Sequence, residues 1–149
     1  MKKNHLKEEI REIETKLISP LKPEFHPKDV LQVVIGATIL AIPVGFTEET
    51  WKLGGSLPMK NVLIILGISL IFIASFVYYN YYRGKIEKHK EEFIKRVLST
   101  YVLSFIVVAL MLILIEVAPW SVDWQLAFKR TVIVTLPASM SAAVADTIK

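Results

Sequence analysis

Four apolar runs, 30–46, 62–82, 97–117 and 126–148, take up more than half of this 149-residue chain and constrain everything else about it. Each is close to the length, about 20 residues, at which a helix crosses the hydrocarbon of a bilayer. Charges are sparse within them and crowd instead into 1–29 and 83–96, so the runs must be solvated by lipid or by one another. The expected fold is all-α: a four-span transmembrane helical bundle over 29–149, preceded over 1–28 by a short cytoplasmic amphipathic helix and a proline-containing linker. The first apolar run follows a charged stretch of 29 residues and lacks a convincing cleavage site, which argues against a signal peptide and keeps the first span in the mature protein.

Composition narrows the chemistry. A hydrophobic share of 53% and a mean hydropathy of +0.47 are too high for an ordinary soluble domain of this size. The absence of cysteine removes disulfides, thiolate nucleophiles and Cys-ligated metals, and His5, His26 and His89 are scattered through polar segments. No paired carboxylates share one depth and Ser139 lacks an evident base, so an enzyme is not expected, nor is a cofactor or a metal. The net charge of +4 reads as membrane topology, not as a nucleic-acid interface.

Orientation follows from lysine and arginine. One side of the four-span arrangement carries seven of them before the first span, six between Arg83 and Arg96, and Lys149, fourteen in all. The other side carries only Lys52, Lys60, Lys129 and Arg130, so both termini are expected in the cytoplasm of a multi-pass cell-membrane protein. Trp51, Trp120 and Trp124 at the outer interface and Tyr78, Tyr79, Tyr81 and Tyr82 at the inner one agree with these boundaries.

Within 4–18, Leu6, Ile10, Ile13 and Leu17 form one narrow apolar stripe, ended by Pro20, Pro23 and Pro27. Two heptads are too short for a stable isolated coiled coil, so the stripe needs the membrane surface, the other cytoplasmic loop or sister subunits to cover it. The inner connection 83–96 places Glu91 four residues before Lys95 and Glu92 four before Arg96, which predicts helical extensions of the flanking spans with a break at Gly84 and an exposed His89.

Residue size divides the spans. Ala37, Ala41 and Gly45 in the first span recur every four residues, as do Thr135, Ser139 and Ala143 in the fourth beside Ala138, Ala142 and Ala145. Such stripes let backbones approach closely, which places these two spans inside the assembly and the Leu- and Ile-rich second and third spans nearer lipid. Pro43 and Pro137 lie within spans and each frees a carbonyl, so they are candidate kinks; Pro137 sits amid Thr135, Ser139 and Ser141. Acidic residues at span ends complete the candidates: Glu48 and Glu49 after the first span, Glu116 at the end of the third and Asp146 near the end of the fourth. Lys129 and Arg130 are possible ion-pair partners of Glu116 or Glu49, forming a latch, with a cation-attracting ring as the alternative; Lys149 is the expected partner of Asp146.

Two stretches, AIPVGFTEETWKLG over 41–54 and LPASMSAAVA over 136–145, resemble a family of small prokaryotic integral membrane proteins known only as a domain of unknown function. Pro43, Thr47, Glu49, Trp51 and Gly54 match the first motif, and Leu136, Pro137, Ala138 and Ser139 the second; Glu48 departs from the pattern. The resemblance implies a four-span membrane architecture and no particular activity.

The leading expectation is a homo-oligomeric ion channel or small-solute pathway lined by the first and fourth spans, cations slightly favoured. Glu48, Glu49 and Glu116 would set the outer electrostatics, Thr135, Ser139 and Ser141 would supply hydroxyls in mid-membrane, and Asp146 would face the inner opening. The alternative is a non-transporting scaffold or accessory subunit that recruits a cytoplasmic protein partner through its cytoplasmic helices. Either would contact the lipid bilayer.

Overall fold

The structure is a computed structural model that describes the backbone of residues 2–18 and 25–148, and the side chains of 4–13 and 25–148. Among the described residues it is all-helical: α1 (Lys2–Ile18), α2 (Pro27–Gly45), α3 (Glu48–Ser56), α4 (Met59–Val77), α5 (Lys90–Leu114) and α6 (Trp124–Thr147). Pro20 and Pro23, expected to end the first helix, lie outside the described residues.

Helix α6 is the axle of the bundle. It packs against α2, α3, α4 and α5, and on 131–135 every residue is buried. Small side chains make this possible: Ala127, Ala138 and Ala142 are fully enclosed, and a Cβ on Gly36 of α2 would stand 2.5 Å from Ala145 Cβ and 2.8 Å from Ala142 Cα. The α2–α6 contact is thus one of backbone against backbone. Its core joins Val33, Ala37 and Ala41 to Ala138 and Ala142, with Val108 and Leu112 of α5 closing the third side. A second core joins Ile73 and Val77 of α4 to Val97 and Tyr101 of α5 and Ala143 of α6.

The outward faces are apolar. Leu31, Ile35 and Ile39 on α2, Leu63, Ile64, Ile71 and Phe72 on α4, and Leu98, Val102, Ile106 and Leu110 on α5 are all exposed. A bundle with large aliphatic groups outside and alanine, serine and threonine inside suits lipid as its solvent. Three helices are long and apolar enough to cross a membrane: α2, α4 continued to Tyr82, and α5. The fourth expected span, α6, does not meet that measure by composition, because it carries Lys129, Arg130 and Asp146.

Three connections fix the ends of these helices. The segment after the first span is a helix, α3, whose Trp51 Nε1 donates to the Gly45 carbonyl at 2.7 Å while Thr47 Oγ1 donates to Val44 O at 2.9 Å. These bonds satisfy carbonyls left open at the end of α2. The connection 83–96 breaks at Gly84, as expected, with a left-handed φ of 78°, but less of it is α-helical than expected: α4 passes into a single wide π-helical turn over Tyr78–Tyr82, and a short 3₁₀ turn over Ile86–Lys88 leads into α5. Glu92 accordingly pairs with His89 at 3.0 Å instead of with Arg96. The third span also ends early, because Glu116 adopts φ 62° and α5 closes with Val117 N donating to Leu112 O and Glu116 N to Ile113 O.

Candidate functional site

Four elements converge at one end of the bundle on a buried cluster of charge. Asp29 stands on the first turn of α2, where its Oδ2 accepts from the backbone N–H of His26 at 3.1 Å and so caps the helix. Arg96 lies on the second turn of α5 and Asp146 on the last turn of α6. Arg96 Nε donates to Asp146 Oδ2 at 2.9 Å and Nη2 to Asp146 Oδ1 at 3.1 Å, a bidentate pair; Nη2 also donates to Asp29 Oδ2 at 3.3 Å. Relative exposures are 0% for Arg96, 3% for Asp29 and 1% for Asp146, so the cluster is sealed within the protein.

The π-helical turn completes it. Widening the helix turns Tyr81 inward, where its hydroxyl donates to the Asp146 carbonyl at 2.8 Å and lies 3.3 Å from Asp146 Oδ2. The Tyr81 ring stacks under the guanidinium, 4.0 Å from its carbon, and Phe25 lies on it at 5.8 Å. Asp146 is the member its own helix supports least, since a helix C-terminus disfavours an anion. Arg96 is what compensates it. One guanidinium thus faces two carboxylates, and the N-terminus of α2 favours the one on Asp29.

Hydroxyls extend from this cluster into the bundle. Thr100 and Ser104 follow Arg96 on α5, and Ser139, Thr135 and Thr131 climb α6, all fully buried. Ser104, Thr131 and Thr135 each donate to the carbonyl four residues back on their own helix, and Ser139 to Leu136 O at 3.1 Å. Among the described residues the Thr100 and Tyr101 hydroxyls have no hydrogen-bond partner despite being buried. Such groups are ordinarily met by water.

The other end of α6 is held by neutral contacts. Arg130 Nη1 donates to Val117 O at 2.6 Å and its Nε to Trp51 O at 3.1 Å, while Lys129 Nζ donates to Leu57 O at 2.9 Å. The expected latch to Glu116 or Glu49 is therefore not formed: both basic side chains take up helix-end and loop carbonyls, which are nearer than any carboxylate. Glu116 and Glu49 are exposed and Glu48 pairs with Lys52 at 3.1 Å on the surface. Gly54 lets α3 lie against Arg130, since a Cβ there would meet Arg130 Cγ at 2.5 Å. Pro43 faces outward on α2, Pro137 is half-buried on α6 and Ser141 is half-buried beside Gly36.

The candidate residues thus separate. Asp146 is brought into a charged site with Arg96; its expected partner, Lys149, lies outside the described residues. Thr135 and Ser139 line the interior, whereas Glu48, Glu49 and Glu116 stay on the surface. Asp29, Arg96 and Tyr81 escaped the sequence reading. Their signal was present as opposite charges at the ends of three apolar runs, and the expectation that no paired carboxylates share one depth is corrected by Asp29 and Asp146, which the packing of α2, α5 and α6 brings onto one guanidinium. Among the described residues no group of three or more His, Asp or Glu side chains is arranged to hold a metal ion.

Comparison with known proteins matches nothing among curated proteins or solved structures. The family model described as "Putative integral membrane protein (DUF2391)" matches residues 2–148, nearly the whole chain. Its character is the one to which the motifs around Pro43 and Pro137 pointed, and the helices with lipid-suited faces agree with it: the chain belongs to the DUF2391 family of integral membrane proteins, whose function is unknown.

Proposed function

We propose that the chain crosses the cell membrane four times with both termini in the cytoplasm, and that copies assemble around a pathway for ions or small solutes, cations favoured. The observation that carries this reading is the sealed Asp29–Arg96–Asp146 cluster. Buried ion triads are poor sources of stability compared with apolar packing, and ionisable groups within membrane proteins are mostly tied to function. At the inner end of α6 the cluster acts as a closed gate. Opening it exposes two carboxylates and the hydroxyls of Thr100, Thr135 and Ser139, a set that favours a cation. A fourth crossing by α6 is supported by its length, about 36 Å at 1.5 Å per residue, and by its polar groups being shielded by α2, α4 and α5.

The test is flux through purified protein in liposomes under separate cation and anion gradients. Selective flux altered by Asp146→Asn and little changed by Glu49→Gln is expected. Silence under every gradient, from protein shown to be folded and inserted, overturns the pathway.

A second reading, a scaffold that recruits a cytoplasmic partner, is favoured by the exposure of Leu6, Ile10 and Ile13 on α1. Removal of residues 1–20 separates the two: lost partner recovery with intact flux assigns α1 to recruitment alone.

A further inference from the structure

Helix α1 leaves one apolar stripe bare, with Leu6, Ile10 and Ile13 exposed on an otherwise charged surface. The charges beside that stripe are ordered. With Ile10 and Leu17 at heptad position a and Leu6 and Ile13 at d, Lys7 and Glu14 fall at e, and Lys2, Glu9 and Lys16 at g. Two copies side by side in parallel would set Lys2 against Lys7 and Glu9 against Glu14, like charges throughout. Two copies in antiparallel register, Ile10 opposite Ile13 and Leu6 opposite Leu17, set Lys7 against Glu14 and Glu9 against Lys16. Every flanking pair is then attractive, and symmetry makes each pair twice.

We propose that α1 is a docking surface for α1 of a second copy, in antiparallel register. This rests on the reading of the chain as an assembly of copies and is independent of what that assembly transports. The geometry suits a membrane protein, because a two-fold axis along the membrane normal makes two helices lying across it antiparallel. Two heptads pair weakly when free. Here the spans hold the partners in one plane, at high effective concentration, which makes a short pairing sufficient. A lipid surface is the competing cover for the stripe, but four acidic residues against five basic ones on α1 give little attraction to anionic lipid.

The chain has no cysteine, so cross-linking reads the register directly. Full-length Ile10→Cys and Ile13→Cys copies, reconstituted each alone and together in the same liposomes, are oxidised. The expected product is a dimer joining position 10 to position 13, with little self-linked product from either variant alone; self-linking of Ile10→Cys instead means a parallel pair and overturns the proposal. Lys7→Glu and Glu14→Lys should each weaken this cross-linking about tenfold, and the double variant should restore it. Strengthened membrane attachment with Glu14→Lys and no cross-link shows that lipid covers the stripe. The mass of the detergent-solubilised protein separates the remaining failures: association without the 10–13 link removes only the α1 pairing, and a monomer under every condition removes the assembly as well.

Discussion

Arg96 is the residue on which the most depends. Its guanidinium donates to both Asp146 and Asp29, and neither carboxylate has solvent to fall back on. Arg96→Met should therefore cost about 3–5 kcal/mol, read as a lowered unfolding midpoint in detergent, because it removes the bidentate partner of the buried Asp146 carboxylate. Changing all three together, Asp29→Asn, Arg96→Met and Asp146→Leu, should recover most of that stability while flux remains lost. Recovery of both would mean that the cluster is only a clamp. At the opposite end, Glu116 closes α5 with φ 62°, a conformation that an L-residue adopts at a cost of about 1 kcal/mol and glycine adopts freely. Glu116→Gly should raise the unfolding midpoint in the same assay and Glu116→Gln should not. A gain from both would point to the carboxylate's charge and away from the backbone.

Among elements, the contact between α2 and α6 sets the tolerance of the fold. Gly36→Ala places a methyl 2.5 Å from Ala145 Cβ and 2.9 Å from Ser141 O, so the helices must part, at about 1–3 kcal/mol. Gly67→Ala on α4 meets nothing within 4 Å and should be neutral or stabilising by up to about 1 kcal/mol. Unfolding midpoints of the two variants check the contrast, and equal losses would mean that helix propensity, not packing, decides. These elements were only partly legible in the sequence. The long apolar runs and the small-residue stripes appear where the helices and their closest contact are, because burial in lipid and backbone approach both write themselves into residue size. Helix α3 was hidden, since EETWKLGGS has charges, two glycines and no apolar period, and is held by bonds from Thr47 and Trp51 to a neighbouring helix. The charge cluster was hidden for a related reason. Glu92 and Arg96 have ideal spacing for a pair along one helix, and only the packing of α5 against α6 turns Arg96 inward.

For the whole molecule the decisive question is how many times the chain crosses. Contacts tie the two ends of α6 to opposite ends of the bundle: Asp146 meets Arg96 and Asp29, while Arg130 meets Trp51 and Val117. Residues 29, 96 and 146 therefore share one end of the bundle and 51, 117 and 130 the other, and on the reading proposed above α6 crosses the bilayer beside α2, α4 and α5. On that reading the lysine and arginine excess predicts a cytoplasmic side for the first group of ends. Single cysteines introduced into this cysteine-free chain make that checkable with a membrane-impermeant maleimide on intact cells. Val122→Cys, 87% exposed between α5 and α6, should label without permeabilisation. Glu87→Cys, in the exposed inner connection, and Ile148→Cys, 68% exposed just past α6, should label only after it. If Ile148→Cys labels from outside while Glu87→Cys does not, α6 returns to the side on which it began. The cluster could not then form as drawn, since Asp146 and Arg96 would stand on opposite faces of the membrane, and the gate would fall with the fourth crossing.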